Sequence, residues 1–177
     1  MGQRILFTIG HSTRSWDAFI AILRRWKIEE VIDVRTVPRS RTFPWFSKEK
    51  MEKAMPRAGI DYVHLPALGG LRRAARDSIN KGWRNASFRG YADYMQTPEF
   101  EAGLKELNRR RNQRRVCIMC SEAVWWRCHR RMIADAETAR GIPVKHLMTE
   151  QTATPHVLTA FAVVKKRRTR RPQVIYP

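Results

Sequence analysis

Short apolar runs recur along this chain, and each breaks off into polar, reactive or turn-forming residues. Residues 4–10, RILFTIG, lead into His11, Ser12 and Thr13; residues 30–35, EVIDVR, into Thr36, Val37 and Pro38; and residues 115–119, RVCIM, into Cys120, Ser121 and Glu122. A further run at 60–65, IDYVHL, precedes Leu68-Gly69-Gly70. Runs this short and this continuously apolar suit strands buried on both faces, as in parallel sheets. Helical patterns fill the intervals, and strand-helix-strand units normally join parallel strands by right-handed crossovers. The expected fold is a three-layer α/β/α single domain with a mainly parallel sheet of about five strands.

The helices carry their own boundary signals. Ser15 suits an N-cap, with Asp17 in the first turn and Trp16, Phe19, Ile20 and Leu23 at helical spacing. Ser47 precedes Met51, Ala54 and Met55, with Gly59 beyond them. Thr97-Pro98 opens a third helix running to about Arg111, with Phe100, Leu104 and Leu107 as its inner face. After the cysteine-rich segment, Met132, Ile133, Ala136 and Arg140 follow at helical spacing until Gly141 and Pro143. Residues 144–148 supply a fifth strand. The Arg-rich stretch from 68 to about 90 is too long for a tight connection and is expected to be a lid or binding loop, with a helical piece at 91–95. Residues 1–164 are expected to form the domain, with weak strand signals at 157–164, and residues 165–177 a basic, mobile C-terminal tail.

Charge narrows the partners. The chain has 35 Lys and Arg against 16 Asp and Glu, a formal net charge of +19, so its surface attracts polyanions. Six cations crowd into residues 165–171 (Lys165, Lys166, Arg167, Arg168, Arg170 and Arg171) and five into residues 109–115. Each run resembles a strip of contacts to a phosphate backbone. No stretch approaches the roughly 18 to 20 apolar residues of a membrane span, and the opening residues lack a signal-peptide design. Three cysteines do not make a secreted disulfide framework. The expected location is the cytoplasm, with no membrane partner. Oligomeric state and cofactor are left open.

If strand ends share one edge of the sheet, His11, Ser12, Arg35, Ser40, Cys120, Glu122, Arg127, Cys128, His129 and Arg130 converge there. Cys120 near Arg127, Arg130 and a helix N-terminus suits an activated thiolate. Glu122 has two readings, a general acid or base and an ion-pair partner for an arginine. Six residues separate Cys120 from Arg127, one more than in the phosphate-cradling loop of cysteine phosphatases, so that chemistry is an analogy only. Cys117-Ile-Met-Cys120 spells C-x-x-C, but residues three apart on a strand point to opposite faces. Cys120, Cys128 and His129 match no common zinc spacing, and no metal is assigned.

The ordered set Thr8-Ile-Gly-His-Ser12, Asp33-Val-Arg35 with Pro38-Arg-Ser40, Leu68-Gly-Gly70, Tyr91-Ala92 and Met119-Cys-Ser-Glu122 through Cys128-His-Arg130 resembles the bacterial and archaeal domain of unknown function 488 family. The resemblance runs from about residue 4 to 164 and implies an α/β fold, with no settled activity. Carried over residue by residue, it makes His11, Ser12, Arg35, Ser40, Cys120, Glu122, Cys128, His129 and Arg130 the candidate site. The basic run at 165–171 stands where relatives have a short neutral linker.

The leading expectation is an enzyme-like pocket for a phosphate-bearing or nucleotide-like ligand. Cys120 would be nucleophile or redox thiol, Glu122 or His129 would move protons, Arg35, Arg127 and Arg130 would bind the anion, and His11 and Ser12 would orient the ligand. The alternative is a nucleic-acid-binding protein that uses the basic strips, with the cysteine cluster structural.

Overall fold

The computed structural model describes residues 4–167 and 170–177. Its elements in chain order are β1 (Leu6–Gly10), α1 (Trp16–Arg25), β2 (Glu30–Asp33), α2 (Lys48–Arg57), β3 (Asp61–His64), α3 (Ala86–Tyr94), α4 (Pro98–Gln113), β4 (Val116–Cys120), α5 (Arg130–Ala139), β5 (Val144–Leu147), β6 (Ala153–Pro155), β7 (Val163–Arg167) and β8 (Arg170–Ile175). The main sheet has six strands in the order β3-β2-β4-β1-β5-β6. The first five strands pair in parallel, and β6 runs antiparallel to β5.

Alternation along the strands sorts side chains into two cores. Phe7, Ile9, Val31, Cys117 and Met119 pack with Phe19, Leu23, Met51 and Met55 of α1 and α2. Leu6, Ile32, Val116, Ile118 and Cys120 pack on the other face with residues of α3, α4 and α5, among them Tyr91, Leu104 and Met132. Helices thus cover both faces, giving a three-layer α/β fold. Each fully buried Phe or Leu contributes about 1.5–3 kcal/mol. Cys117 and Cys120 fall in different cores, as the pleat of β4 requires.

The chain leaves β1 for β2 through α1 and leaves β4 for β5 through α5, and these two helices pack on opposite faces. Because β1 and β4 are neighbours, a crevice opens beyond their C-terminal ends, where ligands bind in open α/β sheets. Three close contacts tie the two strand exits together: Gly10 faces Glu122 so closely that a Cβ would lie 1.7 Å from the Glu122 carbonyl oxygen, and the His11 and Ser12 amides donate to the Cys120 and Ser121 carbonyls at 2.9 Å each.

Ser15 and Thr97 cap their helices by accepting from Ala18 and Phe100, whereas the Ser47 hydroxyl donates to the Pro44 carbonyl and gives α2 no side-chain cap. The helical piece expected at 91–95 starts earlier, at Ala86, because the Asn85 side chain accepts from the Ser87 and Phe88 amides. The expected strand signal at 157–164 is largely loop. The segment expected to be a mobile tail forms the β7–β8 hairpin instead, and its end is anchored: Tyr176 is fully buried and its hydroxyl donates to Asp135 at 2.8 Å. The basic run includes exposed Lys165 and Lys166, Arg167 paired in register with Arg170, and Arg171 beside Glu101; Arg168 lies outside the described residues.

The second basic run makes several internal contacts while Arg109, Arg114 and Arg115 stay exposed. Arg109 and Arg110 both reach Glu106, Arg110 also reaches Glu30, and Arg114 pairs with Asp61. Arg111 donates to Asn108 and to the Arg4 carbonyl, and Arg115 binds the Trp26 carbonyl. These contacts lie at the N-terminal ends of β2, β3 and β4, the edge opposite the crevice. No helix among the described residues is long and apolar enough to cross a membrane.

Candidate functional site

Cys120 closes β4, and Cys128 and His129 lead into α5, so main-sheet and helix geometry fix all three. The imidazole Nδ1 of His129 stands 3.9 Å from Cys120 Sγ and 3.7 Å from Cys128 Sγ. Its Nε2 faces the Val34 carbonyl at 3.0 Å, and a carbonyl only accepts, so Nε2 carries the proton. When the ring is neutral, the Nδ1 lone pair is therefore turned toward the two sulfurs.

Arg130 is the largest fully buried side chain. Its guanidinium donates to the Glu122 carbonyl at 2.6 Å, Thr8 Oγ1 at 3.2 Å and Cys128 Sγ at 3.4 Å. Among the described residues no carboxylate pairs with it. A buried cation without a counter-charge is costly, and of these three partners only the sulfur ionises. Burial pushes the Cys128 thiol up, but the neighbouring Cys120 thiol and the Arg130 charge outweigh it and hold the group down at about 6. Proximity to Cys128, with burial, pushes Cys120 up to about 12. The Arg130 contact thus favours the negative charge on Cys128 over Cys120, whereas the sequence pointed to Cys120 as the reactive thiol.

A directional chain supports Arg130 from behind. Asp135 accepts from His156 Nε2 at 2.9 Å, and when that ring is neutral its Nδ1 accepts from His146 Nε2 at 2.9 Å. His146 Nδ1 then accepts from the Thr8 hydroxyl at 2.7 Å, which leaves the Thr8 oxygen to receive Arg130. Asp135 also accepts from the Thr159 amide and hydroxyl and from Tyr176. Trp125 stacks on His146 with ring centroids 4.2 Å apart. Thr8, Asp135, His146 and His156 escaped the sequence reading because no local motif joins them. The one available signal was Asp135 standing between the apolar residues Ile133, Ala134 and Ala136 of α5.

A cavity of about 260 Å³ reaches Cys120, Cys128 and His129 and is lined also by Arg35, Arg39, Glu122, Arg127, Ser87 and Phe88. Small-molecule sites usually hold about 300–1,000 Å³, and this cavity falls just below that range. Arg39, Arg127 and Glu122 are exposed, and none has an ion-pair partner among the described residues. Glu122 therefore lacks the arginine partner that was one of its two readings. Gly70 belongs to the same wall, since a Cβ there would stand 2.5 Å from His129 Nδ1. A larger cavity of about 480 Å³ between α4, α5 and β8 holds no cluster of reactive groups.

The remaining candidates lie beside the cavity, committed to internal partners. Arg35 reaches the cavity wall, yet its guanidinium is bound by buried Asp33 and the Phe46 carbonyl. His11 stacks on Phe46 at 4.2 Å, accepts from Arg35 through Nε2 and donates through Nδ1 to the Ser12 carbonyl. Burial drives its pKa down to about 4, so it is neutral at pH 7. Ser12 holds a left-handed backbone, φ 48°, and the Ser40 hydroxyl accepts from the Phe43 amide. His11, Ser12, Ser40 and Arg130 shape the wall without lining the cavity. Arg39, Ser87 and Phe88 were missed by the sequence reading. The Asn85 cap was the signal that places Ser87 and Phe88 at a helix start.

Fold and site together define a three-layer α/β protein with a thiol-imidazole cluster at the C-terminal edge of a parallel sheet. The family model for the domain of unknown function DUF488 matches residues 15–136, and the chain belongs to that family. No curated protein and no solved structure matches it.

Proposed function

We propose that this protein is an enzyme-like domain that binds a phosphate-bearing or nucleotide-like ligand in the cavity beyond β1 and β4. One observation carries the reading: Arg39 and Arg127, unpaired among the described residues, line the same cavity as Cys120, Cys128 and His129. Free guanidinium groups bind phosphate through paired N–H donors. Glu122 is the exposed acid beside them and the group placed to move a proton. Arg35 and Arg130 act indirectly, by holding the wall and the Cys128 sulfur. Titration calorimetry with pyrophosphate and with a nucleoside diphosphate tests the reading. Arg127→Ala and Arg39→Ala should each weaken binding roughly tenfold or more, the size of a lost charged hydrogen bond. Absence of binding, or affinity indifferent to both substitutions, sinks it.

A second reading, nucleic-acid binding, is favoured at the β7–β8 hairpin, where Lys165 and Lys166 are exposed. The cations of residues 109–115 touch internal partners, with Arg109, Arg114 and Arg115 still exposed. Replacing both lysines by Gln should reduce the slope of log affinity against log salt on duplex DNA by about 1.8. An unchanged slope removes the hairpin from any such interface.

A further inference from the structure

We propose that Cys120, Cys128 and His129 form a site for one soft divalent cation, Zn²⁺ by its donor chemistry, with a coordination position open to the ligand cavity. The proposal rests on that cavity being the binding pocket, and it concerns different atoms from the arginines that would hold an anion.

The donor atoms of these three residues all lie within 4.8 Å of one another. Zinc bonds of about 2.3 Å to sulfur and 2.0–2.1 Å to nitrogen put the sulfur-nitrogen edge of a tetrahedron at about 3.6 Å. The two edges in the structure are 3.7 and 3.9 Å. Both sulfur-nitrogen edges therefore stand near the tetrahedral value, and the sulfur-sulfur edge lies within 4.8 Å. Internal hydrogen bonding accounts for this convergence only in part, because the single Nδ1 lone pair can accept one S–H while two sulfurs approach it. A cation at the centre engages all three at once.

The surroundings match a ligand shell. A metal-binding histidine usually donates its other ring N–H to a carbonyl or carboxylate, and His129 Nε2 has the Val34 carbonyl at 3.0 Å. Arg130 Nε, 3.4 Å from Cys128 Sγ, stabilises a thiolate ligand from the second layer. Two sulfurs and an imidazole, with no carboxylate, select Zn²⁺ over Mg²⁺ or Ca²⁺. Three protein donors leave the fourth tetrahedral position vacant, the pattern of reactive rather than purely structural zinc sites. The cavity reaches all three residues, and Gly70 contributes no side chain beside His129 Nδ1. Cys117 lies in the opposite core and takes no part.

Cobalt titration of the full chain, reduced and stripped with chelator, is the decisive experiment. One equivalent of Co²⁺ should give the intense visible bands of tetrahedral coordination with thiolate charge transfer, and Zn²⁺ should bleach them. The bands should vanish in Cys120→Ser/Cys128→Ser and persist in Cys117→Ser. X-ray absorption of the zinc-loaded wild-type chain is independent of how any variant folds, and should show two sulfur neighbours at about 2.3 Å. A zinc shell without sulfur, or cobalt bands that survive the double substitution, overturns the site. The pocket reading fails separately. Arg39→Ala/Arg127→Ala should retain the cobalt spectrum while losing pyrophosphate, whereas pyrophosphate binding without any tetrahedral cobalt spectrum overturns the metal site alone.

Discussion

Arg130 shows how much one side chain can decide. A guanidinium buried in the core, with a carbonyl, a hydroxyl and a sulfur as partners, demands a negative charge, and Cys128 is the partner that can supply it. The Glu122 carbonyl that receives Arg130 is also the atom against which Gly10 packs. A methyl group at Gly10 would lie 1.7 Å from that oxygen, a clash that backbone cannot relieve cheaply. Gly10→Ala should therefore cost at least the upper end of the about 1–3 kcal/mol typical of overpacking. Urea denaturation measures it, and an unchanged midpoint would show that the two strand exits are free to separate.

At the scale of elements, the end of the β7–β8 hairpin clamps α3, α5 and the loop before α3. Tyr176 donates from its amide to Asn80 Oδ1 and from its hydroxyl to Asp135, and its ring packs against Trp83 and Phe161. The Val174 carbonyl accepts from Gln96 at 2.9 Å. Ring burial should outweigh the hydroxyl. Tyr176→Phe should cost about 1 kcal/mol, because Asp135 keeps three other donors, while Tyr176→Ala should cost about 3–5 kcal/mol through the cavity it leaves. Equal losses in the two variants, read from denaturation midpoints, would mean that the hydrogen bond and not the ring holds the hairpin down.

For the whole molecule, stability should depend on pH through buried His146. Burial, then the neighbouring His156 and Arg130, lowers its pKa from 6.5 to about 2. Thr8, Trp125 and His156 with Asp135 behind it are the groups that face it. The unfolded chain binds the proton more readily, so this contribution is complete above about pH 6.5 and is lost as the pH falls below it. The decline from His146 alone should approach about 1.4 kcal/mol per pH unit, or about 1.6 kcal/mol between pH 6.5 and pH 5, with buried His11 adding to it in the same window. In His146→Phe, which can keep the stack on Trp125, the slope over that window should flatten by one proton. An identical slope in both proteins would refute the assignment.

The alternation of apolar runs with helical patterns is a local property, which is why the layered architecture, the parallel strands and the gathering of Cys120, Glu122, Arg127, Cys128 and His129 at one edge were legible in the chain. Three matters were not local. The cations of residues 109–115 look like a phosphate strip until folding brings Glu30 and Asp61 beside them. The Thr8, His146, His156 and Asp135 chain joins β1, β5, the loop after β6 and α5, four segments that nothing local links to one another. The ordering of the two thiols depends on which sulfur Arg130 touches, a distance of 3.4 Å that turns on side-chain packing across the sheet. Periodicity specifies which face of an element is buried. The partner that meets a buried charge there is chosen by contacts between residues far apart in the chain.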